Sequence, residues 1–580
     1  MWKSGPNGAG LLHRMALPIC AIGIALIGLA PVLSGGFLLH YDMVFTPRQP
    51  LLPDVIGVSS TLPRSVPADA VLALATTIVP GDVLQKLILF GAFVAAPLGA
   101  GRLVPTVSTG TRLVAAVAYG WTPFVAERLF LGHWPYLIAY ACLPWVVAFG
   151  LALRRGEPRA LPKLVLAIAP AVLTPSGGII VCLAALASAG VRRAASVGGA
   201  AVVLNAPWLV PALLHGGSAL SSPDAVAAFA ARAENWAGPV VSVLGLGGVW
   251  NADAVPASRA VPLVPVFTLV FVVLALLGQR VLASRIGAAP ARSLLALGAG
   301  GVVLASLATV PYGADLLRWL VVTVPGAGLL RDGQKWVALW AVPFALGLAL
   351  AVEQAARYLR ERWQRVALFT AAAVAPLILL PDLAFAGFGR LTPVHYPDDW
   401  RAVAERLADD PREGDVVALP LSSFRVFAWN GNRPMHDPAP RFLPRDTVIG
   451  DTLYVDGDPI TGEDPRAEQV RRTLAADGDL GAIGIGWVLV EHGTPGDVDP
   501  ALLDRLDREY RGEWLSLYRV AGDIGRAQQF APPLVPVLLA DGLAILLIGS
   551  SLLAGYCPWP RGRDRLSATS EVEGVRWPSS

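Results

Sequence analysis

Long apolar runs separated by short charged or glycine- and proline-rich turns recur along almost the whole chain. They lie near residues 15–39, 84–100, 113–126, 135–153, 160–174, 176–191, 197–214, 261–279, 293–311, 336–354, 366–385 and 531–554. A helix of about 20 apolar residues crosses a bilayer, so this pattern predicts about twelve transmembrane helices. The pair around Thr174-Pro175-Ser176-Gly177-Gly178 is short enough to be either two spans or one broken span. Lys3, His13 and Arg14 precede the first run, which is longer than a signal-peptide core and carries Pro31 just after its best small-residue position. It reads as a retained first span.

Between residues 388 and 530 the pattern changes. This stretch is polar and proline-rich and holds 25 of the 43 acids and 16 of the 46 bases. Its periodicities predict a helix over Pro397 to Leu407, buried strands over Asp415–Leu419 and Ile485–Val490, and a helix over Pro500 to Tyr510. The expected fold class is therefore an α-helical polytopic membrane protein with a carboxy-terminal α/β domain outside the membrane. Residues 1–387 form the membrane domain with its outer loops and 388–530 the extracytoplasmic domain. Residues 531–555 form the last span and 556–580 a basic cytoplasmic tail.

Charge sets the orientation. With the amino terminus in the cytoplasm, the inward turns carry Arg102 and Arg112, Arg154 to Lys163, Arg192 and Arg193, Arg280 to Arg292, Arg357 to Arg365, and Arg561 to Arg565. Each is basic, as short cytoplasmic loops of a plasma-membrane protein are. Overall, 54% of residues are hydrophobic and 15% charged, well below the charged share of about 25% in ordinary globular chains. The basic excess reports orientation, and no nucleic-acid footprint is visible. Cys20, Cys142, Cys182 and Cys557 lie in or beside apolar runs without metal-ligand spacing, and read as buried small hydrophobes.

Chemistry is then expected on the outer side. The first outer loop, Tyr41 to Pro50, contains Asp42, Arg48 and Gln49, and a surface helix is expected over Val66 to Leu84. The next holds Glu127, Arg128 and His133 beside aromatic residues that an interfacial belt also explains. Ionisable groups at membrane depth are expensive and usually paired or functional. A later loop carries Arg232, Glu234 and a glycine-rich turn that lacks phosphate-loop context. Another ends in Arg331, Asp332 and Lys335; a helix starting by Arg331 would put both cations on one face. His436-Asp437 lies in a turn-rich stretch without a nucleophile motif, which favours recognition of a polar ligand over a catalytic dyad.

Moving a sugar from a lipid phosphate to a hydroxyl needs a carboxylate near the acceptor and cations near the departing phosphate. Asp42 fits the first role. Arg48, Arg128, Arg331 and Lys335 fit the second, with Gln49, Glu127, His133 and Asp332 around them. The first-loop acid, the surface helix, the dozen spans and the outer α/β domain together resemble GT-C membrane glycosyltransferases that use polyprenyl-phosphate sugars. The chain also resembles actinobacterial multi-span proteins with loops like Tyr41–Pro50 and Glu127–Trp134, and YfhO-like membrane proteins. The resemblance implies that Asp42 is the catalytic acid of the first loop, that a polyprenyl-phosphate sugar is the donor and that a cell-envelope glycan or lipid is the acceptor. Many such enzymes carry two nearby acids there, whereas here the next is Asp54. No cofactor and no metal are expected. Two other readings fit the sequence: a transporter or flippase of a lipid-linked or anionic solute, with 160–191 as a discontinuous helix pair, and a non-catalytic envelope-assembly scaffold.

Overall fold

The computed structural model describes residues 9–215, 222–455, 458–460, 462–525 and 532–556. Lys3, Cys557 and the basic tail with Arg561, Arg563 and Arg565 lie outside the described residues. Among those described, eight helices are long and apolar enough to cross a membrane: Met15–Leu33, Gly81–Leu103, Trp134–Arg154, Val191–Leu214, Val264–Ile286, Ala288–Thr309, Gly333–Ala356 and Leu534–Gly555. The other apolar runs form shorter helices, Thr109–Gly120, Ala160–Leu173, Pro175–Ala189 and Arg362–Leu379. Residues 160–191 are thus two helices meeting at Thr174. The surface helix is only Ala68–Ala75, and it leaves Val71, Leu74 and the following Ile78 exposed.

Gly333–Ala356 is the centre of the bundle, 89% buried, while Leu534–Gly555 leaves Leu539, Ile545 and Leu546 mostly exposed, as a lipid-facing helix does. Without a hydrophobic drive between helices in lipid, small residues permit close packing. A Cβ on Gly278 would overlap the Gly347 carbonyl where the central helix crosses Val264–Ile286. The basic turns gather at one end of the bundle. Arg285 binds Glu353 at 2.5 Å and the Pro105 carbonyl at 2.7 Å, and Thr106 donates to Glu353 at 2.7 Å. Three separate turns meet there, and the loops that carry Asp42 and His133 lie at the opposite ends of the helices.

The outer domain is built on a five-stranded sheet. Asp415–Leu419 lies between parallel neighbours Thr447–Val448 and Ile485–Glu491; Leu515–Arg519 and the edge strand Asp507–Arg511 follow antiparallel. Every residue of Ile485–Glu491 is buried, because both faces of the sheet are covered. One face joins the core of the membrane bundle through Trp400, Phe427 and Trp487; the other packs Val417 and Val488 on Val470. The expected helix over Pro500 to Tyr510 is overturned: only Pro500–Leu503 is helical, and Asp507–Arg511 is a strand. As an exposed edge strand it buries neither face, so it shows no period-two signal.

Backbone pairing fuses this domain to the first outer loop. Phe37 and Val394 exchange two hydrogen bonds of 2.7 and 2.9 Å, Tyr41 donates to the Pro434 carbonyl at 2.7 Å, and His436 donates to the Tyr41 carbonyl at 2.8 Å. Arg441 reaches Asp69 of the surface helix at 3.1 Å. Within the domain, the fully buried Arg425 bridges Asp437, at 2.7 Å, and Glu491. Asp437 also caps the Ala439 amide, so it is committed to structure and the His436-Asp437 dyad does not form.

Two outcomes follow from this packing. Removing Arg425 strands two buried carboxylates, and Arg425→Met is expected to cost about 3–5 kcal/mol in denaturant unfolding of the full chain. The second concerns pH. Burial, then the nearby Asp446 and Asp69, push Asp54 up to about 7, and burial with Asp415 pushes Asp446 up to about 6. A carboxyl raised in the folded state favours folding while protonated and loses that contribution as pH rises through its folded value. Melting temperature is expected to fall between about pH 4 and about pH 7, from the ordinary aspartate value to the raised one, and Asp54→Asn to flatten that fall; an unchanged slope would remove Asp54 as its source.

Candidate functional site

Asp42 is placed by backbone. Tyr41 adopts a left-handed conformation, φ 47°, which side chains of its bulk rarely accept. It is held there by the hydrogen bonds to Pro434 and His436, while the Asp42 amide donates to the Leu131 carbonyl at 3.2 Å. Gly132, φ +72°, lets the two loops touch: any Cβ there would overlap the Met43 amide and the His40 carbonyl. The Asp42 carboxyl is half-exposed and lies 3.0 Å from His133 Nε2.

Behind His133 is Arg128, fully buried on the Pro123–Phe130 helix. Its Nη1 lies 2.8 Å from His133 Nδ1 and 3.0 Å from Asp332 Oδ2; its Nη2 donates to Asp332 Oδ1 at 3.3 Å and to Gln334 Oε1. A guanidinium only donates. His133 Nδ1 must therefore accept, which puts the imidazole proton on Nε2, facing Asp42. Burial pushes the Asp42 carboxyl up, but the hydrogen bond from His133, with the charge of Arg441 farther off, outweighs it and holds Asp42 below its ordinary value. Burial likewise works against Asp332, yet Arg128 and Lys335 bring it down to about 2. Both acids are carboxylates at neutral pH.

The network continues inward. Gln334 Nε2 donates to Glu127 at 2.9 Å; Glu127 adjoins Glu234, which accepts from Arg259 Nε at 2.7 Å and from the Gly248 amide. Burial first, then the Glu234 carboxylate, raise Glu127 well above the ordinary range, so it carries a proton at neutral pH. Lys335 is 5% exposed and makes no ion pair or hydrogen bond among the described residues, although its charge acts on Asp332.

Of the residues expected at this site, Asp42, His133, Arg128, Asp332 and Lys335 are brought together, with Glu127 behind them. Arg48 is exposed and joins no ion pair among the described residues. Gln49 is buried: its backbone N–H donates to Thr76 and its side-chain nitrogen has no hydrogen-bond partner among the described residues. The expectation that Arg331 and Lys335 share a helical face is overturned. The segment is two 3₁₀ turns, Ala327–Leu330 and Gly333–Val337, broken between them. Arg331 turns away to Glu463 of the outer domain, 2.6 Å, and over the Phe229 ring. Sequence reasoning missed Gln334, Arg441 and Arg259, and set Arg232 beside Glu234 where the structure pairs Glu234 with Arg259. Gln334 carried a signal, being a polar residue between Asp332 and Lys335 at the start of a span; Arg259 and Arg441 carried none.

No sequence family matches the chain, and neither does any curated protein. The fold does have relatives among solved structures. The cryo-EM structure of arabinofuranosyltransferase AftD from Mycobacteria superposes with a TM-score of 0.55 at 17% identity, over 88% of this chain and 40% of that one. A variant of the same enzyme gives 0.54 at 18% identity, over 88% and 42%. The chain thus spans about two-fifths of the length of these enzymes, and at this identity the likeness speaks for fold. A multi-pass membrane protein with a GT-C-type helix bundle and a carboxy-terminal sheet domain seated on its loops is the architecture that sequence and structure agree on.

Proposed function

We propose that this chain is a plasma-membrane glycosyltransferase that moves a sugar from a polyprenyl-phosphate donor to a hydroxyl of an envelope glycan or lipid, on the side opposite the basic turns. The observation that carries this reading is the half-exposed Asp42 carboxylate, hydrogen-bonded by a His133 whose proton is fixed on Nε2, together with Lys335, which has no ion pair among the described residues and whose charge acts on Asp332. The AftD-like fold supports it. The positive-inside rule places both termini in the cytoplasm.

In this reading Asp42 accepts the proton of the acceptor hydroxyl as its oxygen bonds to the anomeric carbon, and the anomeric carbon–oxygen bond to phosphate breaks. The departing lipid phosphate takes the bonding electrons, and Lys335 faces the charge that builds there. Arg128 is neutralised by Asp332, so its part is to position His133, which in turn orients Asp42. The ionisable network lies at one end of the helices, where a one-sided reaction needs it and a carrier with two-sided access does not.

Asp42→Asn keeps the shape and a hydrogen bond to His133 but removes the base. Transfer of radiolabelled sugar from polyprenyl-phosphate donors in membranes is expected to fall by about 10²–10⁴-fold at equal expression. Unchanged transfer would remove Asp42 from the chemistry. Lys335→Met is expected to raise donor KM by about tenfold or more, the loss of one charged hydrogen bond to phosphate. The pH profile adds a further check. A depressed carboxyl loses its active form only as pH falls through its folded value, so the acid limb of kcat is expected below the ordinary aspartate value of about 3.8. His133→Phe is expected to move that limb upward.

A further inference from the structure

Arg259 is buried at 4% exposure in the turn Ala257–Ala260, just before a span. Only its Nε is engaged, in the ion pair with Glu234; neither terminal nitrogen has a hydrogen-bond partner among the described residues, and Nη2 is sealed from water. Four of the five N–H donors of the guanidinium are therefore unspent. Leaving charged donors unsatisfied is costly, and the geometry of the fork matches two oxygens of a phosphate.

Arg259 lines a cavity of about 50 Å³ between the helices, whose walls include Trp121, Phe271, Phe344, Leu348 and Leu379, with Thr122 and Thr268 as further polar residues. At about 10–15 Å³ for each water-sized group, it has room for the four oxygens of a phosphate. Phe271 and Leu379 belong to helices whose neighbouring Phe267, Val270 and Ile378 are exposed apolar surface, so the bilayer borders this cavity.

We propose that this pocket binds the phosphate of a glycerophospholipid, with the guanidinium fork of Arg259 on the headgroup and the acyl chains along the exposed apolar side of Val264–Ile286 and Arg362–Leu379. The site is separate from Asp42. Glu234, Glu127, Gln334, Arg128 and His133 stand in line between them, so a phosphate held by Arg259 is not the one that leaves in the transfer reaction. The bound lipid completes the coordination of a buried cation and locks the loop before the span, whether or not the chain transfers a sugar.

The test uses the full-length protein, delipidated in detergent and titrated with phosphatidylglycerol, dioleoylglycerol, inorganic phosphate or undecaprenyl phosphate. Melting temperature and native mass spectrometry are the readouts. Phosphatidylglycerol is expected to bind and raise the melting temperature, and dioleoylglycerol and inorganic phosphate to do neither. Arg259→Gln is expected to weaken phosphatidylglycerol binding by about tenfold or more, on the scale of one lost charge-assisted contact. Because that change also touches Glu234, Leu379→Trp, which narrows the mouth and leaves the ion pair intact, serves as the second variant with the same expected loss. Lys335→Met is expected to leave this binding unchanged. Equal stabilisation by dioleoylglycerol, or unaltered binding in both pocket variants, would overturn the proposal. Binding of undecaprenyl phosphate alone, abolished by Lys335→Met and kept in the pocket variants, would overturn it too while leaving the transferase reading standing.

Discussion

Arg128 is the constraint on which the site depends. A guanidinium has no acceptor and keeps its charge when buried, so everything within reach must offer it an electron pair. Asp332, Gln334 and His133 Nδ1 do so. One buried cation thereby decides the ionisation of an acid, the flip of an amide and the tautomer of an imidazole. Only the last is visible from the solvent side, as an N–H aimed at Asp42. The aromatic rings of Phe124 and Tyr136 close the other sides of the guanidinium, 5.5 and 5.4 Å from its carbon, so it cannot reorient to relieve a wrong partner.

The second constraint is the way the outer domain joins the membrane bundle. A domain tethered by flexible linkers would leave Asp42 on a loop free to fluctuate. Here the strand Pro434–His436 pairs with Tyr41, Asn430 donates to the Leu39 carbonyl at 3.1 Å and the Tyr396 hydroxyl donates to the Phe45 carbonyl at 3.0 Å. The sheet face with Trp400 and Trp487 belongs to the same continuous core as the spans. The left-handed turn at Tyr41 persists because backbone from a different domain holds it.

What the sequence made legible follows from which physics leaves a local trace. Apolar length is such a trace, so the spans and the change near residue 388 could be read, as could the buried strands Asp415–Leu419 and Ile485–Val490. The sidedness of the arginines was another. Asp42, Arg128 and His133 stood out because charge beside membrane helices is rare. Long-range pairing leaves no such trace. Arg331 looked like a partner of Lys335 because a helix was assumed; Gly326, at φ +82°, opens instead a pair of 3₁₀ turns, and Glu463, 132 positions away, takes the arginine. Glu234 and Arg259 were unremarkable in a loop of alanines, and the strand Asp507–Arg511 was hidden because exposed edge residues need no pattern.

The charges of the buried network also explain which of its groups are left without an ion-paired partner among the described residues. Arg128 is matched by Asp332 and Arg259 by Glu234, each at hydrogen-bond distance. Glu127 sits between these pairs, where an additional negative charge would face Glu234 in a medium that screens poorly, so it holds its proton. With Glu127 neutral, the interior closes on itself and leaves Asp42 and Lys335 as the opposite charges without a salt-bridged partner of fixed sign. His133 gives Asp42 a hydrogen bond but, in the tautomer Arg128 enforces, no counter-charge. Separated charges are costly at membrane depth; Asp42 keeps its charge on a half-exposed carboxyl, whereas the buried Lys335 keeps its own beside the Asp332 carboxylate.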